Sequence, residues 1–198
     1  MLSLEEGKKA VKLARNSIES EFREINQEIE LSPSFENKRG VFVTIEKEGE
    51  LRGCIGRPYP NQILKKGIIE ASKDSALNDP RFPPLEEKEI DEITIEVTVL
   101  TKPKKIGGDS RDRAQKIEIG KHGLIASSDS RRGLLLPQVP VDNNWDEVEF
   151  LSQTAIKAGL QPDSWLDEEV DYFKFEGQVF SEKTPNGLIE EREIDEGS

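Results

Sequence analysis

Cysteine and histidine are almost missing from this sequence: 198 residues carry one of each, Cys54 and His122. A single cysteine excludes an internal disulfide and points to a reducing compartment, the cytoplasm. One cysteine and one histidine also fall short of the ligand count of a zinc site. No acidic spacing suggests a magnesium site, so no metal is expected. No apolar run approaches the roughly 18 residues of a membrane span, and the N-terminus lacks an apolar h-region, so neither a span nor a signal peptide is expected. There is no P-loop, and Gly53-x-x-Gly56 lacks the spacing of a dinucleotide fingerprint, so no cofactor is expected. Basic charge is in deficit, with 28 Lys+Arg against 40 Asp+Glu and a net charge of −12. That balance repels phosphate backbones and excludes general nucleic-acid binding, leaving only a local basic patch at Arg131 and Arg132.

What is present centres on the lone thiol. Cys54 sits in Leu51-Arg52-Gly53-Cys54-Ile55-Gly56, with a glycine on either side and arginines at 52 and 57. Glycine lets a ligand approach the main chain closely. A cation beside a thiol favours the thiolate, the nucleophilic form. The plainer alternative is a small buried residue on a strand, where free cysteine is common.

Around this motif the pattern alternates between helix and hairpin. Ser3 and Glu6 have capping-box spacing, and Leu4, Val11, Ala14, Ile18, Phe22 and Ile25 form one apolar stripe, which predicts a helix that ends by Ser32-Pro33-Ser34. Val41–Ile45 and Leu51–Ile55 read as a hairpin turning at Glu48-Gly49-Glu50. Asn61 caps a predicted helix over 62–76. Asn78-Asp79-Pro80-Arg81-Phe82-Pro83-Pro84-Leu85 is a stiff loop. Ile93–Val99 alternates cleanly as a strand, Gly107-Gly108 is a flexible joint, and 117–127 and 133–136 read as short strands. Asn144 and Glu147 mark a helix ending at Gly159, and 170–180 reads as a closing strand. From Ser181 the chain is charged and reads as a loose acidic tail over 181–198 after one domain over 1–180. Without a βαβ rhythm, the fold class is α+β with a mainly antiparallel sheet flanked by helices, and the glycine joint suggests a smaller lobe.

Several residues could carry chemistry. His122, between Gly120 and Gly123, could take the thiol proton in a Cys–His pair, with Asp79, Glu96 or Asp129 to orient it; the alternative is a solvated turn histidine. Asp79 and Arg81 could brace their loop as an ion pair, or Arg81 could bind a carboxylate or phosphate. Arg131-Arg132-Gly133 reads as a polar turn or an anion contact. Glu96 reads as a solvent-facing strand residue, and Trp145 and Trp165 as core anchors.

The hexapeptide resembles the signature of the AMMECR family. Asp79-Pro80-Arg81-Phe82-Pro83-Pro84-Leu85, Gly120-Lys121-His122-Gly123-Leu124, Arg132-Gly133-Leu134-Leu135-Leu136-Pro137-Gln138-Val139, and the stretch from Trp145 to Trp165 resemble its later blocks, so the resemblance spans roughly 8–180. Ala155 and Thr98 depart from it, where relatives often have cysteine and serine, which argues against a two-thiol mechanism. The resemblance implies two unequal subdomains with the signature near a cleft, no established activity, and Memo-type and radical-SAM proteins as partners in a modification pathway. On these grounds Cys54 and His122 are the catalytic candidates. Arg52, Gly53, Gly56, Asp79, Arg81, Arg132 and Gln138 are the ligand-binding candidates, for an unknown small molecule or peptide. The competing reading is a peptide- or protein-binding scaffold without chemistry.

Overall fold

A computed structural model describes residues 1–26 and 28–192. The chain divides into two units: Met1–Leu100 together with the segment returning at Gln178, and Thr101–Gly177.

The first unit opens with α1 (Leu4–Glu19), whose start is fixed by the reciprocal bonds of Ser3 and Glu6. The apolar stripe predicts a longer helix than the one observed. At its end the hydroxyls of Ser17 and Ser20 bond to the carbonyls of Leu13 and Ser17, side-chain bonds that compete with helix propagation. Next come β1 (Val41–Lys47) and β2 (Glu50–Arg57), joined by a tight turn with Glu48 and Gly49 at positive φ. Two consecutive residues in that region make the twisted turn that suits a two-residue hairpin. α2 (Leu64–Leu77) follows; Asn61 lies in a turn before it, and Ile63 takes the cap position without a side-chain bond. β3 (Ile93–Leu100) then pairs with β1.

The second unit contains β4 (Lys104–Lys105), β5 (Gly123–Ser128), β6 (Arg131–Leu135), α3 (Gln138–Asp142), α4 (Glu147–Lys157) and β7 (Asp171–Phe175). The strand expected over 117–127 starts only at Gly123, because Gly120 at φ +81° and the bond from His122 N–H to the Glu118 carbonyl close a turn first. The cap of α4 is Asp146, accepting from Glu149 N–H, while Asn144 sits at φ +54° in the preceding turn. The single strand expected over 170–180 is two, β7 and β8 (Gly177–Glu182), which join different sheets. Between them Glu176 trades its backbone bonds for Thr101, at 2.8 Å each way.

The sheets run β2-β1-β3-β8-β9 and β4-β7-β5-β6, where β9 is Ile189–Arg192. β1 is antiparallel to β2 and β3, β8 to β9, and β5 to β6 and β7. In the first unit Val41, Val43, Ile45, Ile93, Ile95 and Val97 alternate onto one face and pack with Val11, Ala14, Ile18, Leu64, Ile68 and Ala71 of α1 and α2. The other unit has its own core around Leu124, Phe150, Leu151 and Tyr172, with Trp145 and Trp165 packed against it.

The loose tail expected from Ser181 is corrected over 181–192. Phe180 has no exposed surface, and Glu182 is buried, accepting from Arg15 Nε at 2.7 Å and Nη2 at 2.5 Å and from Ile95 N–H at 3.1 Å. A buried guanidinium needs a buried counter-charge, and this acidic stretch supplies it. Residues 193–198 lie outside the described residues. Among the described residues no helix is long and apolar enough to cross a membrane, and no cluster of three acidic, cysteine or histidine residues could hold a metal ion.

Candidate functional site

The site is built on an edge strand with an extra residue. In the β1–β2 hairpin, Lys47 opposes Glu50 and Glu46 opposes Leu51, but Ile45 opposes Gly53. Arg52 therefore has no partner and forms a β-bulge. Side chains of opposed residues share a face, so one inserted residue turns every later side chain over. A regular hairpin would set Cys54 against Val43, on the core face. The bulge sets it against Thr44, on the face away from α1 and α2, where it is half-buried.

Thr44 Oγ1 lies 3.3 Å from Cys54 Sγ and is positioned to donate to it. Thr44 is flanked on its other side by Glu96 of β3, so Cys54, Thr44 and Glu96 form one row across three strands. The neighbouring row is Gly56, Phe42 and Thr98. A Cβ on Gly56 would lie 2.2 Å from the Phe42 ring, so the glycine makes room for that ring. Glu96 accepts from Arg192 Nη1 at 3.1 Å. Burial is the main cause that pushes its carboxyl above the ordinary value, and Glu46 adds repulsion.

The backbone of Cys54 is clamped from outside the sheet. Its N–H donates to Asp79 Oδ2 at 2.8 Å, and its carbonyl accepts from Arg81 Nη2 at 3.0 Å. Asp79, almost fully buried, also accepts from Arg81 N–H, Nε and Nη2 at 3.1, 3.0 and 2.7 Å. Arg81 holds its carboxyl well below the usual range. Edge-strand groups that would otherwise face water are thus paired within the chain. The structure shows Asp79 and Arg81 bracing their loop as an ion pair.

The other arginines turn away from the thiol. Arg52 donates to Glu89 Oε1 and Oε2 at 3.1 and 2.9 Å and to the carbonyls of Pro83 and Pro84 at 2.9 and 3.3 Å. That corrects the placement of Arg52 beside the sulfur: strand alternation fails at the bulge. Arg57 pairs with Asp74 and Glu70 of α2. The glycines serve packing. A Cβ on Gly53 would stand 2.2 Å from the Ser75 carbonyl oxygen, so the close approach at Gly53 is made by α2. Ser75 Oγ also accepts from Ile55 N–H and donates to the Val43 carbonyl.

His122, Arg132 and Gln138 belong to the second unit. His122 is buried, and its Nδ1 accepts from Glu118 N–H at 2.9 Å, which leaves the ring proton on Nε2, 3.9 Å from Glu176. Burial, then Lys174, pushes its pKa down. A ring in that state is a neutral donor at Nε2, and its bonded Nδ1 is not available as a base. Each of Cys54 and His122 finds its partners in its own unit. Arg132 lies exposed on β6, and Gln138 opens α3. Next to Arg132, Gly133 admits the end of α4: a Cβ there would stand 2.3 Å from Ala158 N.

Sequence reasoning missed Thr44, Phe42 and Glu89; only the hairpin register could have pointed to the first two. Beside the site, a pocket of about 220 Å³ at the end of β2 is lined by Gly56, Arg57, Pro58, Tyr59, Asn61 and Gln62. A larger groove of about 870 Å³, which includes Leu13, Ile25, Leu31 and Ile69, lies on the helical side of the sheet.

Known proteins match this chain along its length. A protein of Methanosarcina mazei is 48% identical over 199 residues, covering 97% of this chain and 100% of that protein. One of Methanopyrus kandleri is 48% identical over 202 residues, covering 98% and 97%. A crystal structure of an uncharacterized protein from Pyrococcus horikoshii is similar with a TM-score of 0.83 at 43% identity, over 97% of this chain and 98% of that one. The family model for AMMECR1 covers residues 11–180, which takes in the bulged hairpin, the Asp79–Arg81 clamp and Thr101–Gly177 of the second unit, and the chain belongs to the AMMECR1 family.

Proposed function

We propose that the first unit carries a thiol-centred binding site for a small molecule or peptide, with Cys54 as the group that touches the ligand. One observation carries this reading: the bulge at Arg52 takes Cys54 off the core face and presents its sulfur on the half-buried polar face. A cysteine serving only the core needs no bulge, since a regular hairpin would bury it. Bulges commonly re-aim a side chain beside a functional site. The clamp by Asp79 and Arg81 supports the same reading, because it fixes the main chain of Cys54 and brings the Arg81 guanidinium, with the Thr44 hydroxyl, to its side chain. A rigid backbone under a reactive side chain is what a preorganised site requires. Reaction at the thiol, if the ligand is electrophilic, uses Thr44 as hydrogen-bond donor to the sulfur.

The test is alkylation of the native protein with iodoacetamide, which reports on Cys54 alone because the chain has no other cysteine. Labelling without denaturant, slowed in Thr44→Val and retained in Thr44→Ser, supports the proposal. Labelling that needs denaturant overturns it and leaves a binding module with no role for the thiol.

A further inference from the structure

We propose that the pocket at the end of β2 receives one residue of an extended peptide, its main chain paired with Gly56 and its side-chain amide reaching Gln62. The proposal goes beyond the thiol reading and does not depend on it.

The edge of β2 is open at one residue. In an antiparallel strand the N–H and carbonyl of a residue point the same way, and successive residues alternate. Ile55 turns toward β1, where its N–H reaches the Val43 carbonyl through Ser75 Oγ. Cys54 and Gly56 therefore turn outward, away from β1. At Cys54 the outward pair is closed by Asp79 and Arg81. At Gly56, among the described residues, no other segment bonds to the N–H or the carbonyl. Pro58 holds the next outward position and has no N–H to offer. The open edge is thus too short for a strand of a second copy, and it fits the paired N–H and carbonyl of one peptide residue. Gly56, without a side chain, lets that residue come close. The same glycine lines the pocket of about 220 Å³, several times the roughly 30 Å³ share of a water molecule and enough for one side chain. A second observation fixes what that side chain ends in. Gln62 lines the pocket, and its Nε2 is shielded from solvent with no acceptor among the described residues. A buried donor left unpaired is costly. A turn about its last side-chain torsion, which is soft, aims it at an acceptor seated in the pocket. The charge of Arg57 in the wall is answered by Asp74 and Glu70. The acceptor that fits is therefore a neutral amide oxygen, as in a glutamine side chain, with Pro58 and Tyr59 as carbon surface for its stem.

The experiment titrates the intact, nitrogen-15-labelled chain with three blocked tripeptides and follows its amide resonances. The probes are acetyl-Ala-Gln-Ala-amide, the same peptide methylated on the glutamine main-chain nitrogen, and acetyl-Ala-Leu-Ala-amide. The first is expected to bind in the millimolar range and to move the Gly56 N–H and the Gln62 side-chain resonances together, with saturation. N-methylation removes the bond to the Gly56 carbonyl, and leucine removes the acceptor for Gln62. Each is expected to weaken binding about two- to tenfold, the worth of one hydrogen bond. Gln62→Met keeps the length of the side chain without its donor, and is expected to make the glutamine and leucine peptides bind alike. If that variant fails to fold, the three peptides on the parent chain still decide. An N-methylated or leucine peptide that binds as well as the first overturns the proposal. So do shifts that fail to saturate or that leave Gly56 unmoved. None of these outcomes depends on labelling at Cys54, so this site and the thiol reading fail separately.

Discussion

Replacing Arg52 by alanine separates a brace from a ligand contact. Arg52 is 15% exposed and Glu89 10% exposed at the side chain, and the guanidinium donates to both carboxylate oxygens and to the Pro83 and Pro84 carbonyls. Its bonds are the largest cause that holds the Glu89 carboxyl down, from 4.5 to about 2. A displacement of that size corresponds to about 3 kcal/mol of folded-state stabilisation, shared with Lys47 and the Glu86 N–H. We therefore expect Arg52→Ala to lose about 2 to 3 kcal/mol near neutral pH, with a coupling of about 2 kcal/mol to Glu89→Gln in a double-mutant cycle. The sign with pH follows from the direction of the shift. The folded value lies below the unfolded one, so the contribution is complete above about 4.5 and is lost as pH falls toward 2. Arg52→Ala returns Glu89 toward its ordinary value, so the gap between variant and parent narrows as the medium is acidified. Urea titration followed by far-ultraviolet circular dichroism at a neutral and an acidic pH measures both effects. An Arg52→Ala chain as stable as the parent refutes the brace and returns Arg52 to the ligand-binding candidates.

Other consequences are as direct. Gly53→Ala sets a methyl against the Ser75 carbonyl oxygen of α2, at 2.2 Å before relaxation, and is expected to lower stability by about 3 kcal/mol in a thermal melt. Glu182→Gln takes the bidentate carboxylate from buried Arg15 and leaves it Glu19, at 3.6 Å, as its charged neighbour; a loss of about 3 kcal/mol is expected, and a chain with unchanged urea midpoint counts against the pair. His122 is held below its ordinary 6.5 by burial, so its ring resonances should titrate below that value. Its lowered folded value means stability is unaffected at high pH and declines as pH falls below 6.5; a midpoint above 6.5 refutes the buried, Nδ1-accepting ring.

The fold was legible where local pattern and tertiary demand agree. The alternation of Ile93–Val99 and of Val41–Ile45 predicts one buried and one open face, and both strands lie in one sheet with Leu51–Ile55. The reciprocal bonds of Ser3 and Glu6 follow from their spacing. Failures came where a distant partner decides the structure. Nothing local to Ser181 and Glu182 announces a strand, because Glu182 is ordered by Arg15, far away in sequence. The stripe running through Phe22 and Ile25 continues past the end of α1 because Phe22 packs against the first core without being helical and Ile25 lines the groove that includes Leu13, Leu31 and Ile69. Asn61 and Asn144 were good caps in the wrong register by a few residues, each occupying a turn just ahead of its helix.

The site was legible as composition and hidden as geometry. Residue types alone marked Cys54, Asp79 and Arg81, and the structure brings those three together. Register decided the rest. Counting back from the Glu48-Gly49 turn in a regular hairpin places Cys54 opposite Val43 and hides it in the core. It also leaves Arg52 without its bulged exit toward Glu89. One unpaired residue reverses both assignments. Arg52 is therefore more than an ion-pair partner: by tying the bulge to Glu89 and to the carbonyls of Pro83 and Pro84, it holds the residue whose insertion exposes the thiol. The hexapeptide thus combines two requirements on one strand. Gly53 lets α2 press close on one face, and the bulge before it turns Cys54 to the other, where Thr44, Glu96 and Phe42 supply a donor, a desolvated carboxylate and an apolar ring. A short motif can specify such a face only when it fixes the register: its glycines are taken up by packing and its arginine by the bulge, and under the proposed function its cysteine is the group left to meet a ligand.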